Sequence, residues 1–222
     1  MPTTRVYLIR HGATVLSAED RFAGSTDVEL SSAGITQVEC LGQRLASEPV
    51  ARVVCSPMRR TLVSAAAIAR PHGLEPHSID ALREIDHGHW EGLTRTEVAD
   101  RHPQEAAAWD IDPFTFAPVG GESGVQVMAR ALPALRRVVE ESVGQTIVVV
   151  SHKATIRLML CALLGIDARG YRDRLDQSPA CLNALDFKDL VNVRLVSFND
   201  VSHYAACPVA TGARLSPVWT GA

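Results

Sequence analysis

The stretch VYLIRHG, Val6 to Gly12, decides how the rest of the chain is read. An apolar, β-prone run empties into Arg10-His11-Gly12, which predicts a short strand ending in a polar corner. A guanidinium fork matches phosphate oxygens, and a neutral imidazole can attack phosphorus. An arginine beside a histidine at a strand end is therefore a phosphate-handling arrangement. Taken alone, the pair reads equally well as a chance Arg-His at the end of an edge strand, so the remaining sequence decides.

Three segments repeat a strand-turn-helix plan. Residues 5–10 read as a strand, with a loop at 11–30 and a helix from about 33 to 47 introduced by Ser31-Ser32. ARVVC at 51–55 is a second strand, and Ser56-Pro57 reads as an N-cap with proline at the first helical position, opening a helix to about Ala69. TIVVV at 146–150 is an unbroken apolar run suited to burial on both faces. Ser151-His152 follows, then a helix to Leu164 that stops at Gly165. Such alternation predicts an α/β fold: a three-layer α/β/α sandwich whose central sheet is mostly parallel. Ligands bind beyond the carboxyl ends of such strands, where Arg10-His11, Ser56 to Arg60 and Ser151-His152 all fall.

Later elements complete the outline. A helix from about 123 to 142 opens on a Ser123-x-x-Gln126 capping box, and Pro133 is expected to kink or break it. Strands near 183–188 and 192–198 read as an antiparallel outer pair joined through Asp189-Leu190. Residues 101–122 lack clear periodicity and hold Trp109, Phe114 and Phe116. They form the body of a cap-like insertion, about 95–122, over the ligand end of the sheet. The tail from about 205 to 222 is expected to be exposed or partly disordered, and the 222 residues form a single domain.

Composition narrows the partners. Hydrophobic residues make up 46% and charged residues 21%, as in a soluble globular protein, and the formal net charge of −3 argues against nucleic acid or an anionic membrane as partner. Any anion site must then be a local cluster of cations. Five cysteines, an odd number without CxxC spacing, argue against a disulfide framework. The opening MPTTRVYLIR carries no signal-peptide pattern, and the apolar runs at 146–150 and 158–164 are too short to span a bilayer. A cytoplasmic protein is expected.

Four pieces line up in order: LIRHG (8–12), SPMRRTLVSA (56–65), LREIDHGHWEGLT (82–94) and VVSHKATIR (149–157). Together they resemble the histidine phosphatase superfamily, in the phosphoglycerate mutase-like branch, over about residues 5–160. The resemblance implies that His11 is the nucleophile that becomes phosphohistidine, flanked by Arg10. It places the second arginine on Arg60, with Arg59 left as a solvated helix residue. Glu84 falls on the proton donor and His152 on the second histidine. GGES at 120–123 matches the start of the family's long helix, and Arg21 to Leu30 matches its R-x-x-G-x-x-D-x-x-L loop, in which Ala23 and Gly24 would offer amides to substrate.

The chemistry agrees with those roles. Attack on a phosphomonoester needs an unprotonated nitrogen in line with phosphorus, fixed positive charge on the equatorial oxygens and a proton for the leaving alkoxide. Arg10, Arg60 and a protonated or donating His152 would supply the charge, helped by the N-termini of the helices after Ser56 and His152. A local backbone carbonyl would fix the tautomer of His11. Apolar neighbours (Leu82, Ile85, Trp90) or the phosphate's charge would raise the pKa of Glu84.

Three positions depart from the family pattern. Ala13 stands where glutamate is common, Ser17 where asparagine is common, and Lys153 where a small residue is common. Ser17 can still donate one hydrogen bond to phosphate, and Lys153 either adds a cation to the rim or points to solvent. His87 and His89 flank Gly88 without further ligands at metal spacing, so they read as loop residues, and no metal or other cofactor is expected. Only the 35 residues 85–119 separate Glu84 from Gly120, with Arg95 and Arg101 as their cations. Mutases of the family carry a longer, more basic insertion there. The spacing resembles the alpha-ribazole and small-metabolite phosphatases, which implies a small phosphorylated metabolite as partner. A mutase and a catalytically weak phospho-ligand or protein binder remain the alternatives, and a homo-oligomer stays open.

Overall fold

Strand β1 (Thr4–Arg10) is the spine of a six-stranded sheet. The computed structural model describes residues 2–19 and 21–204, without the side chains of Ser17 and Ala18, so the tail from 205 lies outside the described residues. The other strands are β2 (Val50–Cys55), β3 (His77–Ser78), β4 (Thr146–Ser151), β5 (Leu182–Phe187) and β6 (Val193–Asp200), in the order β3-β2-β4-β1-β5-β6. The pairs β1–β4, β4–β2 and β2–β3 are parallel, and β5 and β6 add an antiparallel edge. This is the sheet the sequence predicts.

The three layers follow from the two-residue period of the strands. Val6 and Leu8 of β1, with Ile147 and Val149 of β4, share one core with helices α6 (Gly124–Glu140) and α7 (Lys153–Leu164). Tyr7 and Ile9, with Val148 and Val150, face a second core with α2 (Ser32–Leu45) and α3 (Arg59–Ala69). Both faces are covered, so the central strands carry no polar face.

Local signals mostly hold. The Ser31 hydroxyl accepts from the Gly34 amide to cap α2, Ser123 and Gln126 form the capping box of α6, and Gly165 ends α7 with φ of 67°. Three expectations are corrected. Helix α3 begins at Arg59, not after Ser56, because the Ser56 side chain is turned toward His152. Helix α6 runs unbroken through Pro133. Its apolar stripe, including Ala131, Leu135, Val138 and Val139, is buried, and that packing outweighs one lost backbone bond. Residues 101–122 are partly helical: α4 (Arg95–Arg101) and α5 (Pro103–Ile111) follow the short helix α1 (Val15–Ala18) and precede α8 (Tyr171–Arg174). They were unreadable because α5 buries no residue and so shows no apolar stripe.

Register builds the site. Arg10 pairs with Ser151 and Cys55 with Val150, so residues 11, 56 and 152 emerge side by side at one sheet edge. Gly12 lets the chain turn there. A Cβ on it would lie 2.4 Å from the Gly34 carbonyl oxygen, at the crossing of this turn with α2. We expect Gly12→Ala to lower stability by about 1–3 kcal/mol, the usual cost of forcing an atom into a filled site. Urea unfolding checks this, and an unchanged midpoint contradicts it.

Candidate active site

His11 follows β1 and is buried. Its Nδ1 lies 2.7 Å from the Gly12 carbonyl oxygen, so Nδ1 carries the proton and Nε2 keeps its lone pair. Burial, then the charges of Arg60 and Arg10, hold its pKa well below the ordinary histidine value. Arg10 donates from Nη1 to the Gln177 carbonyl at 2.6 Å, and its buried Nε has no hydrogen-bond partner among the described residues.

Arg60 sits on the first turn of α3 and is 2% exposed. It donates to the carbonyls of Thr26, Ala23 and Gly24 at 2.9, 3.3 and 2.9 Å. Its Nε points at Nδ1 of His152, 3.2 Å away. Nδ1 must then accept, so His152 donates from Nε2 to the Ser56 hydroxyl at 2.8 Å. His152 is neutral in this arrangement: burial, then Arg60, push its pKa well below the usual value. Of the expected protonated or donating His152, the protonated form does not fit: the ring is neutral, both its nitrogens are engaged by protein partners, with Nε2 donating to Ser56, and it orients Arg60. Arg59 is exposed and pairs with Glu29, as the sequence implies.

Glu84 is half-buried on the cavity wall. The expected apolar surroundings are not what its carboxylate meets. It accepts from the amides of Ala154 and Thr155, both at 3.1 Å, and from the Thr155 hydroxyl at 3.0 Å. It therefore caps α7, while Asp27 accepts from the Arg59 amide at the start of α3 at 2.9 Å. The helix N-termini assigned to the phosphate thus have carboxylate partners, since their orphan amides attract the nearest anion.

The Arg21 to Leu30 loop is also corrected. Glu91 accepts from the amides of Gly24, Ser25 and Thr26 and from the Thr26 hydroxyl, so the Gly24 amide is committed to a carboxylate. Burial pushes the Glu91 carboxyl up, but these hydrogen bonds outweigh it and hold the pKa below normal. Ala23 and Lys153 line the cavity, and the Ser17 side chain lies outside the described residues.

The cavity holds about 200 Å³ and brings Arg10, His11, Arg60 and Glu84 onto one wall. Phe22, His87, Trp109 and Tyr171 are among its other lining residues. Trp109 is held by guanidinium groups of Arg95 and Arg172 at 4.9 and 4.4 Å. Trp90 is fully buried behind Phe22, and Phe116 packs on Trp90. His87 lines the cavity instead of serving only the loop. His89, His102 and Glu105 are close enough to suggest a metal, with donor atoms within 4.8 Å. The two rings stack at 4.3 Å and 22°, and Glu105 accepts from His89 and Trp90, so they read as a lock between cap and loop.

Sequence reading missed several residues here. Ser56 follows β2 just as Ser151 ends β4, which was its signal. Glu91 was the acid inside Gly88-x-x-x-Gly92. Arg130 binds Glu122 and also donates to the carbonyls of Ala81, Arg83 and Glu84, fixing the Glu84 turn from α6. No motif marks Arg130: Glu122 is eight residues away, and the carbonyls it holds lie 46 to 49 residues away.

The buried imidazoles link stability to pH. Both titrate near 6.5 in an unfolded chain and well below that here. Below about pH 6.5 the unfolded state binds more protons, so stability is full above that pH and falls as pH drops toward the folded-state values, by up to about 1.4 kcal/mol per pH unit for each group. We expect His11→Gln to lose less stability than the wild type between about pH 6.5 and 5. Equal slopes in urea unfolding contradict this.

Residues 6–201 match the model of the histidine phosphatase superfamily, branch 1. Phosphoserine phosphatase 1 of Hydrogenobacter thermophilus is 36% identical over 163 residues, 73% of this chain and 77% of that protein. Glucosyl-3-phosphoglycerate phosphatase of Mycolicibacterium vanbaalenii is 35% identical over 174 residues, 75% of this chain and 76% of that protein. The solved alpha-ribazole phosphatase from Shigella flexneri superposes with a TM-score of 0.81 at 25% identity, covering 89% of this chain and 96% of that one.

Proposed function

Because the chain belongs to the histidine phosphatase superfamily, we propose that it hydrolyses a small phosphorylated metabolite through a phosphohistidine on His11. The observation that carries the reading is the His11 ring, whose Nδ1–H is tied to the Gly12 carbonyl so that Nε2 is a nucleophile beside Arg10 and Arg60. The phosphate rests on these guanidinium groups, with the Arg10 Nε as one donor still to be filled. The Nε2–P bond forms as the P–O bond to the leaving group breaks, and Glu84 in its acid form hands its proton to the departing alkoxide. The resulting Glu84 carboxylate takes a proton from water, whose oxygen attacks phosphorus as the P–N bond breaks. Inorganic phosphate leaves, and both side chains regain their starting state.

His152 acts in this scheme by fixing Arg60, and Ser56 by fixing the tautomer of His152. Ala23, Gly24 and Lys153 shape the substrate side, Gly24 through the carbonyl that holds Arg60. A cytoplasmic setting fits free cysteines whose thiols burial pushes up, to about 11 for Cys55 and Cys161 and about 12 for Cys181. No helix among the described residues is long and apolar enough to cross a membrane.

Turnover of an aryl phosphate, followed by phosphate release, tests the scheme. His11→Ala should reduce it at least about a thousandfold, and a chelator should leave it unchanged. Because His11 stays neutral well below its ordinary value, the acid limb of kcat/KM should fall clearly below about pH 6.5. No turnover by folded protein would sink the enzyme reading. Transfer of the phosphoryl group to a second metabolite without phosphate release would make it a mutase.

A further inference from the structure

The Arg10 guanidinium meets the protein through the Gln177 carbonyl, which accepts from Nη1 at 2.6 Å. The segment 176–181 that carries this carbonyl also runs beside the backbone of the site. The Cys181 carbonyl accepts from the Arg10 amide at 3.3 Å, and the Ala180 amide donates to the His11 carbonyl at 2.9 Å. This segment lies between α8 and β5 and belongs to neither, and Ala180 takes a φ of 52°. Regular secondary structure therefore does not fix it.

Side-chain amides do. Asn183 stands on β5, every residue of which is buried. A buried amide is costly unless it is hydrogen-bonded, and this one is bonded on both sides. Its Nδ2 donates to the Leu8 carbonyl at 2.9 Å and to Oε1 of Gln177 at 2.8 Å. Its Oδ1 accepts from Nε2 of Gln177 and from the Asn199 amide, both at 2.9 Å. Asn183 and Gln177 thus exchange two hydrogen bonds through buried side chains. Asn199 sits where the β5–β6 register shifts, with φ of 49°, and its Oδ1 accepts from the Ser178 amide at 2.6 Å. The path from the Leu8 carbonyl through Asn183 and Gln177 to the guanidinium starts on β1 two residues before Arg10 and closes on Arg10 itself.

We propose that Asn183 and Gln177 are positioning residues: their paired side-chain amides hold the Gln177 carbonyl against Arg10 and so set where the guanidinium meets phosphate. The proposal rests on the reading of Arg10 as a phosphate ligand. Packing alone is served by apolar side chains at these positions. Hydrogen bonds are directional, so a closed amide pair fixes the angle of the Gln177 peptide as well as its distance. That angle matters because a ligand group displaced by about 1 Å costs about a hundredfold in rate.

The test is Gln177→Met in the full chain, which keeps the backbone carbonyl and removes the amide pair. Calorimetry with inorganic phosphate should show Kd raised about tenfold, the worth of one weakened charge-assisted hydrogen bond. An amide pair that served folding alone would lower the bound stoichiometry and leave Kd unchanged. In kcat/KM for an aryl phosphate, Gln177→Met should cost about tenfold in the wild type and nothing further in an Arg10→Met background, since it acts through Arg10. If Gln177→Met does not fold, Asn199→Gly keeps the positive φ, removes the Ser178 bond and should raise Kd in the same direction by a smaller factor. An unchanged Kd in the folded variants, or losses that add to that of Arg10→Met, would overturn the positioning role. Wild type that binds phosphate but turns over no ester would instead remove the hydrolysis reading and leave the Kd comparison standing. Wild type that binds no phosphate would overturn both.

Discussion

Two arginines and two imidazoles stand together, out of water, at the carboxyl edge of the sheet, and the cost of holding positive charge there shapes what surrounds them. Like charges in a medium of low dielectric repel strongly, and desolvation adds to the cost. The protein answers with dipoles, not with carboxylates. Arg60 is surrounded by the carbonyls of Ala23, Gly24 and Thr26, and Arg10 by that of Gln177. Backbone carbonyls stabilise the guanidinium groups without neutralising them, which preserves their charge for an anionic ligand. The imidazoles respond to the same field by remaining neutral, and that neutrality is what a nucleophile at phosphorus requires.

Carboxylates are kept at one remove. Glu91 gathers the amides of residues 24–26 so that their carbonyls point to Arg60, and Asp27 meets the first turn of α3. Glu122 holds Arg130, which in turn holds the carbonyls of the Glu84 turn. Among the described residues Glu84 is the one acid on the cavity wall, anchored on the first turn of α7. Helix N-termini that look like phosphate sites in isolation are used here to seat the carboxylates of Asp27 and Glu84.

Much of the fold was legible because its signals are local. Continuous apolar runs marked β1, β2 and β4, whose two faces are both buried. Serine caps marked α2 and α6, and glycine marked the end of α7. The cap helices α4 and α5 were missed because they lack an apolar stripe, and the start of α3 was misplaced because Ser56 serves a histidine 96 residues away. Arg10, His11, Arg60, Glu84 and His152 were singled out by their motifs, while Glu91 and Arg130 were not, since the backbone groups they hold are distant in sequence.

The sequence by itself determined β1, β2, β4, β5 and β6, the residue types of the candidate site and the family to which they belong. These follow from periodicity, caps and short motifs, all of which act over a few residues. Tertiary structure alone decided the state of those residues: which nitrogen of His11 carries the proton, that His152 orients Arg60, and that Glu84 caps α7. The physical reason is that protonation, tautomer and unmet hydrogen bonds are set by burial and by neighbours brought together through the β1–β4–β2 register, and no spacing along the chain encodes them.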